Sequence, residues 1–331
     1  MLRIFLAVLT SRITPIRSNF KWILIFLEKF YLNLRGSLPW SQSERNAILN
    51  SVRRTKNGFR IRKISQITND DVTLFIPATI KDFDILKEVI RYATRSLAQF
   101  NNIETLIVVP NSELKQVRKL LEGLSVKVLN EEDLFSKTLV AERFPNSTRI
   151  NWIYQQFLKL SAIYNAETSY VLVLDADTIL LTKREWVDKN GRQILSPTLE
   201  FEKPYDEIAS QMNLALKPDL STSFVPHHML YWKNSFKSML QFLNVESIQE
   251  LADLISKKSQ GGNIPFCVDY ELYGRFLLIF MPEKLILTRW ANLPLKRKYF
   301  KTIQKNHYLV KLLSLFFNSI SFHSWTSSKS E

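Results

Sequence analysis

The stretch Tyr170 to Leu181, YVLVLDADTILL, constrains this chain more than any other. Tyr170–Leu174 offers no polar face, so it reads as a strand buried on both sides, which requires a sheet covered by helices. Asp175 and Asp177 stand where that apolar run breaks. Residues two apart in extended backbone point to the same side, so both carboxylates are expected to face one small volume at the sheet edge. Such a pair suits a hard divalent cation, Mg²⁺ or Mn²⁺, whose remaining positions go to water and substrate phosphates. An ordinary turn capped by Asp and Thr is the competing reading. The second apolar run, Ile179–Leu181, and the lack of Gly or Pro favour a site.

The segments before this stretch alternate. Val72–Pro77 (VTLFIP) reads as a short buried strand and Asp82–Ala98 as a helix, with Phe83, Leu86, Val89, Ile90 and Ala93 at helical spacing. Leu106–Val109 is a second strand, Ser112–Leu121 a helix capped by Ser112, and Val126–Leu129 a third strand. This βαβαβ order predicts an α/β fold with a parallel sheet and ligand bound at its carboxyl edge. Arg149–Ala166 is a helix that feeds the central strand, with Ile153, Phe157, Leu158 and Leu160 toward the core. No glycine-rich phosphate loop occurs, which counts against P-loop and dinucleotide-binding enzymes.

The net charge of +14 is uneven. Residues 1–65 carry 13 Lys/Arg against Glu28 and Glu44, and residues 284–331 carry 9 against Glu331, so the middle of the chain is mildly acidic. A nucleic-acid protein more often carries its charge on the folded domain; basic, apolar ends suit an anionic membrane surface instead. Residues 1–40 mix Trp, Phe, Leu and Ile with Lys and Arg. They never reach the roughly 18 uncharged residues of a spanning helix, and they read either as an interfacial segment or as a helix packed on the domain. Thr10-Ser11-Arg12 is a poor signal cleavage site. Cys267 is the single cysteine, so no intramolecular disulfide exists and a reducing, cytoplasmic setting is expected. Three regions follow: a basic apolar segment and connector at 1–65, a catalytic domain at 66–289, and a basic tail at 290–331 that closes on the active site.

Two families end such a strand in carboxylates. Asp175-Ala176-Asp177-Thr178 is close to the motif of haloacid-dehalogenase-type phosphatases, with Asp175 then nucleophile and Asp177 acid/base. That motif follows the first strand of its domain, whereas here it lies mid-chain, and the later acidic pair such an enzyme needs is missing. The chain better resembles the GT-A glycosyltransferases, whose Rossmann-type mixed sheet, flanked by helices, ends its central strand in Asp-x-Asp. The resemblance covers about residues 70–285 and implies the following assignments. Asp175 and Asp177 hold Mn²⁺ or Mg²⁺ at the diphosphate of a nucleotide-sugar donor. Pro77, Ala78 and Thr79 receive the nucleoside, Lys159 meets phosphate, and Gln156 hydrogen-bonds sugar or base. His323, near the C-terminus, is a third metal ligand.

Gly261 and Gly262 suggest unusual backbone angles ahead of Asp269 and Glu271, which begin a further helix. Either carboxylate is a candidate base for the acceptor hydroxyl, Asp269 first, though acidic residues also suit a helix N-terminus structurally. His227 and His228, on a strand or its end, point to opposite faces, one toward the acceptor and one into packing. The function expected is a peripheral membrane enzyme moving sugar to a glycan or lipid-linked acceptor in surface polysaccharide or glycolipid synthesis. A non-catalytic membrane scaffold is the other alternative, and no nucleic-acid partner is expected.

Overall fold

The computed structural model describes residues 67–197, 202–216, 223–288, 290, 292–314 and 317–323. The expectations for residues 1–65 lie outside the described residues. The described residues fall into two compact units: those within 67–176 and 183–290, and those within 177–182 and 292–323.

The larger unit is built on β1 (Val72–Pro77), β2 (Ile103–Val109), β3 (Lys127–Asn130), β4 (Tyr170–Leu174) and β7 (His228–Trp232), in the order β3-β2-β1-β4-β7. β1 pairs in parallel with β2 and with β4, β2 with β3, while β7 runs antiparallel to β4. This is a mixed, parallel-rich α/β sheet. β1 and β4 are buried along their whole length, as the absence of a polar face requires. The sheet carries α1 (Phe83–Ser96), α2 (Leu114–Leu120), α3 (Lys137–Arg143) and α4 (Ile150–Asn165). Later come β6 (Gln193–Leu195), α5 (Lys203–Ser210), α6 (Lys233–Phe242), α7 (Ile248–Lys258), α8 (Glu271–Phe280) and β8 (Leu285–Leu287), which pairs in parallel with β6.

Three local expectations are corrected. Ser112 does not cap α2, because the chain first makes a 3-10 turn at Asn111–Glu113, whose Glu113 N–H already donates to Pro110 O at 2.8 Å. β2 starts at Ile103 rather than Leu106, taking in Glu104, whose carboxylate accepts from Thr73 Oγ1 at 3.3 Å. Lys203–Tyr205, in a stretch expected to be loop-rich, already belong to α5, where Pro204 in the first turn costs no helical hydrogen bond. Gly261 and Gly262 do adopt positive φ, 65° and 89°, and a Cβ on Gly262 would stand 2.8 Å from Ser147 Cβ.

The smaller unit contains β5 (Thr178–Leu180), β9 (Asn292–Lys296), α9 (Phe300–Lys305), α10 (His307–Leu313) and β10 (Ser319–His323). β10 is central, antiparallel to β5 and parallel to β9. Hydroxyls knit this sheet: Thr178 Oγ1 and Ser321 Oγ lie 2.9 Å apart, and Ser319 Oγ donates to Asn292 Oδ1 at 2.7 Å. Among the described residues no helix is long and apolar enough to cross a membrane.

Candidate active site

In the larger unit the chemistry collects where β4 ends. Leu174 is the last residue of β4 and pairs with His228, the first of β7. The next amide, Asp175 N–H, donates to His227 O at 3.0 Å. Asp175 Oδ1 accepts from Lys159 Nζ at 2.8 Å and from the Tyr270 hydroxyl at 3.1 Å, and Oδ2 faces His227 Nδ1 at 3.2 Å. His227 adopts φ 62°, a left-handed backbone uncommon outside glycine.

Lys159 rises from α4, a helix buried on nearly every side, and is only 4% exposed. An ammonium has three donors, and here each has a partner: Asp175, Asp269 Oδ2 at 2.8 Å and Tyr270 Oη at 3.2 Å. Burial alone would pull the lysine down, but the Asp175 and Asp269 carboxylates override it and hold the ammonium well above its ordinary range. Burial would likewise raise Asp175, yet Lys159 and His227 reverse this and hold its carboxyl below the usual carboxylate range. Cys267 Sγ donates to Asp269 Oδ1 at 3.2 Å. Burial first, then Asp269, pushes the thiol well up, so Cys267 is neutral and no nucleophile.

One turn before Lys159, Gln156 clamps the segment that delivers Asp269. Its Oε1 accepts from Val268 N–H at 2.7 Å and its Nε2 donates to Phe266 O at 3.4 Å. Gln156 and Lys159, the residues expected to meet the donor, are both buried and hydrogen-bonded to protein groups. The signal was present, since a helix apolar on all faces can hold a lysine only if that lysine is paired. Glu271 opens α8 and is 1% exposed. Its Oε2 pairs with Arg275 Nε at 2.8 Å, and its Oε1 accepts from Phe224 N–H at 2.9 Å and from Ser223 Oγ. Arg275 in turn reaches Asp206 Oδ1 at 2.6 Å. The glutamate ties α8 to neighbouring segments, as its spacing of four from Arg275 allows.

At the end of β1, Pro77 and Ala78 are buried and Thr79 is exposed. Thr79 N–H and Oγ1 both donate to Asp82 Oδ2, at 3.2 and 3.3 Å. Of the two histidines, His227 reaches Asp175, whereas His228 is 1% exposed, with Nδ1 2.8 Å from Pro226 O and its ring 4.1 Å from that of Trp290.

In the smaller unit, Asp177 Oδ2 lies 3.3 Å from His323 Nδ1. Thr178 Oγ1 donates to Asp177 Oδ1 at 3.1 Å, and Phe322 N–H donates to Asp177 O at 2.8 Å, which aligns the aspartate with the end of β10. Among the described residues no three His, Cys, Asp or Glu side chains converge as a ready metal centre.

Residues 69–314 match a protein family described as "Family of unknown function (DUF6492)". The chain belongs to that family. No curated protein matches this DUF6492 chain by sequence. Among solved structures it is similar to mouse xyloside xylosyltransferase 1 in its apo form, at 13% identity and a TM-score of 0.43, over 77% of this chain and 99% of that one. It is also similar to galactosyltransferase LgtC in complex with donor and acceptor sugar analogues, at 12% identity and a TM-score of 0.42, over 76% and 86% of the two chains. Both likenesses concern fold, not activity.

Proposed function

We propose that this DUF6492 chain is a glycosyltransferase that takes a sugar from a nucleoside-diphosphate donor to a glycan or lipid-linked acceptor, with Mn²⁺ or Mg²⁺ as cofactor. Asp175 carries the reading: a carboxylate kept ionised at the carboxyl edge of a parallel sheet, where α/β folds bind ligand, by a buried ammonium that cannot swing away. Thr79, exposed at the end of β1, is the polar group offered to the nucleoside.

The donor set fits the cation. Asp177 and His323 bring one oxygen and one nitrogen ligand close together, and such metals complete their shell with water and substrate phosphates. Bound there, the cation would draw off the negative charge that builds on the departing diphosphate. The chain's own groups do the positioning. Asp269 fixes Lys159, Lys159 fixes Asp175, and Glu271 holds Arg275. Residues 292–314 contain no acidic residue, and Lys298, Lys301, Lys305 and Lys311 are exposed there. That basic face favours an acceptor at an anionic membrane surface, in surface polysaccharide or glycolipid synthesis. The phosphatase reading is not favoured: among the described residues the strands flanking β4 bring Thr79 and His227 to this edge, not the acidic pair it needs.

Thermal unfolding of the purified chain with nucleoside diphosphates, with and without Mn²⁺, tests the reading. A ligand that binds only the folded state raises its stability by mass action. One nucleotide should stabilise the wild type only with metal, and Asp177→Ala and His323→Ala should abolish that shift. No shift with any nucleotide refutes the proposal.

A further inference from the structure

The hairpin that leads to β6 contains two arginines with opposite fates. Val187 bridges Gln193, Ile194 N–H donates to Trp186 O at 2.9 Å, and Gln99 Oε1 accepts from Trp186 N–H, which fastens the hairpin to the segment after α1. Arg192 is neutralised by Asp188 at 2.7 Å. Arg184 has no such partner among the described residues, although it is only 4% exposed. Its guanidinium lies against two neighbouring indoles, with Cζ 4.2 Å from the Trp186 centroid and 4.4 Å from that of Trp290. Cation–π contact satisfies none of the N–H groups, which are left to find acceptors. Nε donates to Glu185 O at 3.3 Å; Nη1 is buried and has no acceptor.

A second orphan stands on the other arm. Arg184 and Ser196 each lie three residues beyond the Val187–Gln193 bridge, and Ser196 Oγ is likewise buried without a partner. Buried polar groups are nearly always paired, and a buried arginine almost always with an anion. Burial pulls Arg184 down to about 9, as expected of a cation lacking its counter-charge. The neighbouring His228 cannot supply one, since an imidazole is either neutral or cationic, and burial and then Arg184 keep it neutral.

We infer that Arg184 and Ser196 form an oxyanion-binding site for a carboxylate or phosphate group of the substrate. Trp186 and Trp290, the rings on which Arg184 rests, also contact the ring of His228, which pairs with Leu174 at the end of β4, so this anion would bind near the edge of the sheet that carries Asp175. A planar guanidinium held by two indoles presents its N–H edge in one orientation, which suits a planar carboxylate or a tetrahedral phosphate. The inference rests on the transferase reading only for which substrate bears the anion.

The test uses the full chain without metal and sugars paired by charge: glucuronate and glucose 6-phosphate against glucose, with inorganic phosphate alone, read by thermal shift and calorimetry. The wild type should bind one anionic sugar at least about tenfold tighter than glucose. Arg184→Gln should erase the preference, and Ser196→Ala should weaken it. Uridine diphosphate should displace the anionic sugar if the anion is the donor's diphosphate, and leave it bound if the anion belongs to another sugar. Equal binding of charged and neutral sugars overturns the site, as does a preference that survives Arg184→Gln. If Arg184→Gln fails to fold, Ser196→Ala decides: an unchanged preference there refutes the assignment. The metal-dependent nucleotide shift is measured separately, so failure of the transferase reading is distinguishable from failure of this site.

Discussion

Replacing Lys159 with methionine isolates what the buried ammonium does. Met keeps an unbranched side chain of similar length, so packing changes little. Two carboxylates then lose their cation at once: Asp269, 2% exposed, and Asp175, 22% exposed, each 2.8 Å from Nζ in the wild type. Breaking a buried pair by deleting one partner costs about 3–5 kcal/mol, because the charge left behind is uncompensated. The pH dependence gives the sharper signature. In the wild type, Asp175 is depressed, so its contribution is present above about pH 4 and lost as pH falls through its folded value. Lys159 is raised, so its contribution is complete below about pH 10 and lost only as pH rises through its folded value. Neither contribution changes between about pH 5 and 9. In the variant the two carboxylates lose that cation, so protonating either one relieves the uncompensated charge and the deficit relative to the wild type shrinks as pH falls. Urea unfolding followed by tryptophan fluorescence should show the deficit at about pH 7 shrinking by at least about 1 kcal/mol at pH 5. A deficit below about 1 kcal/mol, or one that does not change with pH, would refute the account of Lys159 as the counter-charge for both aspartates.

Two further substitutions probe the frame. His228 is held below its ordinary value by burial, with Arg184 and His227 adding to this and the Pro226 carbonyl and Asp175 opposing it. The unfolded chain therefore binds the extra proton first, and stability falls as pH drops below about 6.5, by up to ~1.4 kcal/mol per pH unit. His228→Phe should flatten that limb in urea titrations, and an unchanged slope would assign it to other groups. Gly274→Ala in α8 would set a methyl group into the Phe224 ring. Overpacking of about 1–3 kcal/mol should outweigh the helix-propensity gain of ~1 kcal/mol, so the melting temperature falls; a rise would mean that Phe224 can move aside.

What could be read from the sequence is what is local and periodic. Tyr170–Leu174, Val72–Pro77 and the helix that begins at Glu271 all stand where apolar patterning put them. His323 ends β10. Partnership across the chain was less legible. Lys159 and Asp269 are 110 residues apart, and nothing in either neighbourhood names the other. His227 meets Asp175 because β7 returns antiparallel to β4 and the backbone turns left-handed at that residue, a conformation that no pattern of side chains announces. The pair Arg184 and Ser196 depends on a hairpin register set by the turn after Asp188, whose carboxylate accepts from Asn190 N–H and Arg192 N–H at 3.0 and 2.8 Å.

The buried charges around Asp175 are not there for stability. A well-packed apolar set of the same volume would do as well or better, since desolvating three charges offsets most of what their attraction returns. A left-handed histidine adds a further backbone cost. What such a cluster does provide is orientation. With three donors and three acceptors, Lys159 admits one arrangement, so Oδ1 of Asp175 is pinned by Lys159 and Tyr270 while Oδ2 meets only the side chain of His227, itself 20% exposed. An aspartate held in this way keeps its charge and direction through the pH range of a cell and needs no reorganisation when a ligand arrives. The chain crosses from one compact unit to the other between Ala176 and Asp177, and the second aspartate is fixed by its own unit's Thr178, His323 and Phe322 backbone. Each carboxylate of Asp-Ala-Asp thus has its own set of partners: Asp175 in an ionic cluster at the end of β4, Asp177 beside Thr178 and His323.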